Sequence, residues 1–127
     1  DMFDCVQPTR LGRHGAAWTP TGRINLHAAR WARDDQPIED GCDCYTCTHH
    51  TRAYLRHLFR AEEALGPRLA TIHNVRFLIR LMEGAREAIL HDRFSAYHQA
   101  FMDKFQPVSD DVRAAQRAAY GRASRQR

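Results

Sequence analysis

Lysine is nearly absent from this 127-residue chain: of its 19 basic residues, only Lys104 is not an arginine. Also missing is any apolar run near the roughly 18 residues that a membrane-spanning helix needs, so the sequence predicts a soluble protein. There is no internal repeat and no low-complexity block. The length leaves room for one ordinary domain and excludes multi-domain and collagenous chains. No secretory leader is recognisable. The opening Asp1-Met2-Phe3-Asp4-Cys5-Val6 lacks an initiator methionine, and the chain is therefore expected to be a piece of something longer.

What the sequence does carry is positive charge on guanidinium groups, 19 basic against 15 acidic residues for a formal +4. A planar guanidinium suits phosphates and base edges, which admits an RNA partner. Arginine bias in a GC-rich genome accounts for the composition equally well.

The four cysteines do not have the spacing of a disulfide framework. Cys42, Cys44 and Cys47 crowd into a few residues and Cys5 stands far upstream. Three clustered thiols cannot all pair with one remote partner, and a bridge between residues two apart is strained. A reducing compartment and a metal site explain them better. Cys42-x-Cys44-x-x-Cys47 offers three soft thiolates to one ion, with zinc the expected metal, and a closed tetrahedron needs a fourth ligand. His73 is the favoured one, because it would tie the cysteine turn to a distant helix. His49, His50 and His57 compete with it, although His49 and His50 follow Cys47 so closely that their rings are awkwardly placed. Four protein ligands leave no open position, so such an ion holds structure and does no chemistry.

Along the chain, residues 1–7 read as a buried strand that Pro8 stops, followed by a polar, glycine-bearing loop from Thr9 to Gly15. Ala17-Trp18-Thr19 and Arg23-Ile24-Asn25-Leu26 flank a Pro20-Thr21-Gly22 turn and predict a small β-ribbon. The stretch from Ala32 to Gly41 reads as loop. Thr48 to Leu65 carries an apolar row at Tyr54, Leu55, Leu58, Ala61 and Leu65, with Gly66-Pro67 as its stop. From about Ile72, a second amphipathic helix is marked by Val75, Leu78, Ile79, Met82, Ala85 and Ile89. Asp92 is placed to cap a third, carrying Phe94, Tyr97, Phe101 and Phe105 until Pro107 ends it. The arginines and alanines beyond leave little to bury, and that tail is expected to fray.

Asp4, between Phe3 and Val6, would be a buried carboxylate near the end of the first strand, and is therefore either a hydrogen-bonded turn residue or functional. Its neighbourhood favours function. Asp1-Met2-Phe3-Asp4-Cys5-Val6, Pro8-Thr9-Arg10-x-x-Arg13, Gly22-x-Ile24-Asn25, the three-cysteine motif, Thr51-Arg52-Ala53-Tyr54-Leu55 and Ile72-His73-Asn74 follow one another in order. Together they resemble the tRNA-guanine transglycosylases from residue 1 to about 105. Gln7 stands where that family commonly has a leucine, and His50 where it often has an aromatic residue in the helix used for dimer contacts.

The resemblance implies an α/β fold: the C-terminal portion of a (β/α)8 TIM barrel, its last strand and helices, with an inserted zinc-binding subdomain. Residues 1–20 would be the last strand and an anticodon-binding loop, 21–73 the zinc subdomain, 74–106 the C-terminal helices and 107–127 a flexible basic tail. It implies a cytoplasmic pentosyltransferase that exchanges guanine at the tRNA wobble position for a 7-deazaguanine, a queuosine precursor. Asp4 falls on the family's nucleophile, Arg10 and Arg13 on its anticodon-loop arginines, and Cys42, Cys44, Cys47 and His73 on its zinc ligands. A carboxylate at the carboxyl end of a barrel strand is where such enzymes place reacting groups. The implied partners are the tRNA anticodon loop, the 7-deazaguanine base and a second copy of the enzyme through the face carrying Tyr54 and His57, with no membrane. The other barrel strands, the general acid/base aspartate and the base pocket would lie upstream of Asp1, leaving this chain inactive alone. The alternative is a non-catalytic, zinc-stabilised RNA-binding or dimerisation module.

Overall fold

The computed structural model describes residues 4–106, and its first element is a helix where a strand and a loop are expected. Residues 4–6 are irregular and exposed, and α1 runs Gln7–Arg13. Pro8 does not stop a strand. It lies in the first helical turn, where a missing N–H costs nothing and the ring's fixed φ suits the helix. Among the described residues nothing pairs with residues 4–6, and a strand without a neighbour has no ladder to satisfy its backbone. Asp4 is accordingly exposed, not buried.

The β-ribbon forms as expected: β1 (Ala16–Thr19) and β2 (Gly22–Asn25) pair antiparallel, Ala17 opposite Ile24 and Thr19 opposite Gly22. Gly22 has φ 140°, and a Cβ there would meet the Gln106 carbonyl oxygen, so the backbone passing at Gln106 demands glycine. Gln106 N–H donates to the Thr21 carbonyl at 3.1 Å. A single 3-10 turn, Ala29–Trp31, leads into the irregular stretch before the cysteines. That stretch is tied down: Arg52 pairs with Asp34 at 2.9 Å, donates to the Ile38 carbonyl and covers the face of Trp31.

The expected helix from Thr48 to Leu65 is two shorter ones. Here α2 spans Tyr45–His49 and α3 spans Arg52–Arg60, the latter capped by Thr51 Oγ1 accepting from Tyr54 N–H at 3.2 Å. Of the predicted row only Leu55 and Leu58 are buried, joined by Phe59. The chain then turns through Glu62 at φ 57°. Gly66-Pro67 is not a stop either: α4 (Leu65–Leu90) begins seven residues earlier than expected and takes both into its first turn, where proline is tolerated. Asp92 does not cap the last helix. It sits at φ 54°, and α5 (Phe94–Lys104) starts after Arg93 with no side-chain cap.

The core gathers Ala17, Leu26, Ile38, Leu55, Leu58, Phe59, Leu69 and Ala70, with Ile24, Cys47 and Ile72 packed against it. The inner face of α4 is thus Leu69, Ala70, His73, Asn74 and Phe77. Most of the row that periodicity selects as its core side points outward instead: Val75, Ile79, Met82 and Ile89 are exposed, while Leu78 and Ala85 are half-buried. In the second half of α4, Tyr97 Oη of α5 donates to the Leu81 carbonyl at 2.9 Å, and Arg80 reaches back to Glu39. No described helix is long and apolar enough to cross a membrane. The expected fraying tail, 107–127, and the start of the predicted strand, 1–3, lie outside the described residues.

Candidate metal centre

Cys42, Cys44, Cys47 and His73 come together, with all four ligand atoms within 4.8 Å of one another. The local chain arranges the thiols. Cys42 follows Gly41, which takes φ 72°, and Cys44 is the N-cap of α2, its Sγ accepting from Cys47 N–H at 3.4 Å. The first turn of α2 therefore folds Cys47 back over Cys44, which converts an i, i+3 spacing into convergence. Thr46, wholly buried between them, donates to the Leu69 carbonyl at 2.7 Å and fastens the cysteine turn to α4.

His73 is supplied by that same stretch of α4 and is fully buried. Its Nε2–H donates to the Trp18 carbonyl at 2.7 Å, which leaves the Nδ1 lone pair facing the sulfurs. From Nδ1, Cys47 Sγ lies at 3.3 Å and the Sγ atoms of Cys42 and Cys44 at 3.7 Å each. A tetrahedral ion with Zn–S of about 2.3 Å and Zn–N of about 2.0 Å puts its S···N edges near 3.6 Å. The three S···N separations lie within about 0.3 Å of that edge. The competing histidines are turned away: His49 Nδ1 contacts Thr48 Oγ1 and the Tyr45 carbonyl, His50 stacks on Tyr54, and His57 is exposed.

The electrostatics point the same way. The Cys44 thiol is pulled down by hydrogen bonding from its Cys47 neighbour, while that hydrogen bond and burial push Cys47 up. Burial and the nearby Cys44 also raise Cys42. Three thiolates this close repel one another, which a cation among them would offset. Two arginines of α4 brace the loop from outside. Arg76 grips Asp43 with Nε at 2.9 Å and Nη2 at 2.8 Å, holding that carboxyl below the usual range, and Arg80 pairs with Glu39 at 2.5 Å. Sequence reading missed these two, and Thr46, because each lies far along the chain from its partner.

The remaining sequence candidates stand apart from this cluster. Asp4 is exposed ahead of α1, and Arg10 and Arg13 are exposed in the last turn of α1. Sequence reading also gave Asn74 no role beyond a motif letter, although it is buried beside His73 and fully hydrogen-bonded. A polar amide in a helix interior next to a ligand histidine is the signal that could have found it.

A family model described as queuine tRNA-ribosyltransferase matches residues 1–107. A queuine tRNA-ribosyltransferase of Herpetosiphon aurantiacus is 60% identical over 119 residues, covering 94% of this chain and 30% of the relative. One from Symbiobacterium thermophilum is 49% identical over 121 residues, covering 95% and 30%. One from Bacillus subtilis is 50% identical over 105 residues, covering 83% and 28%. The chain thus spans about 30% of the length of these relatives.

Proposed function

This chain belongs to the queuine tRNA-ribosyltransferase family, and we propose that it is the metal-bearing, nucleophile-bearing part of an enzyme that exchanges guanine at the tRNA wobble position for a 7-deazaguanine. The observation that carries the reading is the convergence of Cys42, Cys44, Cys47 and His73 within a chain matched over residues 1–107. The ion they would hold is zinc, the metal that three thiolates and one imidazole suit best, and with four protein ligands it supplies structure only.

In this reading Asp4 is the nucleophile. Its carboxylate attacks C1′ of the wobble ribose, the glycosidic bond breaks, and guanine leaves with the bonding pair after protonation by an acid from the rest of the enzyme. The incoming base, losing a proton, then attacks C1′ and releases the carboxylate. Two displacements at one carbon retain configuration. Exposure of Asp4 supports this role, since a nucleophile must reach a ribose drawn out of its stack. Arg10 and Arg13, exposed together on α1, would hold splayed anticodon nucleotides and their phosphates.

The outward apolar row of α4 supports membership of a larger α/β barrel, because Val75, Ile79, Met82 and Ile89 form a face that only further polypeptide would bury. The segment ahead of α1 would become its last strand once a neighbouring strand supplies a ladder. A second copy would dock at the ring cluster of Tyr45, His49 and Tyr54, which are exposed, and the half-buried His50. There His50 stacks on Tyr54 at 5.2 Å and takes the part of the aromatic residue that it replaces.

The test is covalent trapping of tRNA by the full-length protein. Asp4→Asn abolishes the RNA adduct while stoichiometric zinc is kept, and a surviving adduct refutes Asp4 as nucleophile. The isolated chain shows no base exchange.

A further inference from the structure

Adjacent residues of α4 hold both sides of a single residue of β1. His73 Nε2–H donates to the Trp18 carbonyl at 2.7 Å, and Asn74 Oδ1 accepts from Trp18 N–H at 3.0 Å. The other end of the Asn74 amide is equally committed: Nδ2 donates to the Pro8 carbonyl at 3.1 Å and to the Ala16 carbonyl at 3.0 Å. Every donor of this wholly buried side chain is used. One amide therefore joins the first turn of α1, the start of β1 and the helix that carries the metal-facing histidine.

A second contact fixes α1 where it crosses α4. A Cβ on Gly12 would lie 2.4 Å from Thr71 Oγ1 and 2.8 Å from the Thr71 backbone nitrogen. Helix α1 is thus held at its first turn by Asn74 and near its last turn by the absence of a side chain at Gly12. Between and beside these two points stand Arg10 and Arg13, which have no ion-pair partner among the described residues.

We infer that Asn74 is a positioning residue: it sets the placement of α1, and so the aim of Arg10 and Arg13, from the same turn of α4 that presents His73 to the metal. The part concerning RNA rests on the reading of those arginines as anticodon-loop contacts. The coupling of α1 to the metal-bearing helix does not. Replacing Asn74 by alanine leaves the Trp18 N–H and the Pro8 and Ala16 carbonyls without their partner. Asn74→Asp keeps the acceptor for Trp18 N–H but turns an oxygen toward two carbonyl oxygens.

The experiment uses the full-length protein carrying Asn74→Ala, Asn74→Asp or Gly12→Ala, beside an Arg10→Ala/Arg13→Ala variant. Metal content and the absorption spectrum of the cobalt-substituted protein report the ligand set. Amide hydrogen exchange reports α1, and tRNA affinity is measured across a salt series. The expected result is unchanged metal stoichiometry and tetrahedral cobalt bands, with at least tenfold faster exchange in α1. Binding of tRNA weakens about tenfold, and the salt slope falls by about one phosphate contact, as when one arginine is lost. Wild-type exchange in α1 of folded Asn74→Asp and Gly12→Ala proteins overturns the inference. If Asn74→Ala does not fold, Gly12→Ala makes the same test, because it pushes α1 off α4 at Thr71 while every hydrogen-bonding side chain is kept. Faster α1 exchange together with an arginine double variant that binds tRNA normally supports the coupling and refutes the RNA reading alone. Wild-type tRNA affinity and slope in the Asn74 variants, when the arginine variant has lost both, shows that α1 placement does not aim the arginines and overturns that part.

Discussion

The two halves of α4 are built on opposite plans. From Leu69 to Phe77 the helix turns a mixed face inward, Leu69, Ala70 and Phe77 beside His73 and Asn74, and each polar one is occupied: His73 by the sulfurs and Trp18, Asn74 by three backbone groups. Past Arg80 it turns large apolar side chains outward, with Met82 47% and Ile89 59% exposed, and packs against α5. The difference shows that burial in this chain follows the partners available to a face and not its hydrophobicity. The polar half is the interior because α1, β1, α2 and α3 converge on it. The apolar half waits for surface that the described residues do not supply.

That contrast can be broken most forcefully at the metal. His73→Ala removes the one ligand from α4, and because binding free energy at such sites is folding free energy on the order of 10 kcal/mol, it should abolish stoichiometric metal and cooperative melting together. Metal analysis and calorimetry of the variant check this, and exhaustive chelation of the wild type should reproduce it. Retained metal would mean that the polar half is not organised around an ion.

Truncation of apolar side chains sharpens the comparison. Leu55→Ala in the core should cost about 3 kcal/mol by denaturant titration. Ile79→Ala, 47% exposed, should cost under about 0.5 kcal/mol in this chain and several-fold more in the full-length protein. Equal effects of Ile79→Ala in both contexts would remove the case for an occupant of that face.

The bracing ion pairs should matter less. Glu39 is largely covered and Arg80 half so, and Arg80→Met, which leaves that carboxylate without its partner, should cost about 2 kcal/mol. The rate at which a chelator extracts the metal should rise with it. Smallest is the acid limb. Asp34 is held below its ordinary 3.8, first by the Gln36 N–H and then by Arg52. A lowered folded value means that this contribution is complete above about pH 4 and is lost as pH falls through it. Asp34→Asn should flatten acid unfolding below pH 4 by under about 1 kcal/mol, read from melting temperature against pH.

Sequence reading was strongest where the signal is a matter of reach. Three cysteines within six residues can close on one ion almost wherever the chain goes, and the Pro20-Thr21-Gly22 turn leaves β1 and β2 few alternatives to pairing. It was weakest on α4. That helix carries apolar residues on more than one side, so a period of 3.6 selects a stripe without saying which stripe is inside. Prolines misled for a related reason. Pro8 and Pro67 both lie in first turns, and the sequence signal that ends a helix or strand also suits the start of the next.

The sequence by itself pointed to the three cysteines and a histidine as a candidate metal cluster, to the ribbon, to the existence of the long helix and to the family, because each depends on residue type and spacing along the chain. Tertiary structure alone decided that α1 forms over Gln7–Arg13 where a loop is expected, that Asp4 is exposed and that His73 and Asn74 share the grip on Trp18. It also decided which face of α4 is the interior. Those outcomes depend on which backbone groups find partners across the fold, and a buried hydrogen bond between residues 66 apart, such as Asn74 to Pro8, has no counterpart in local pattern.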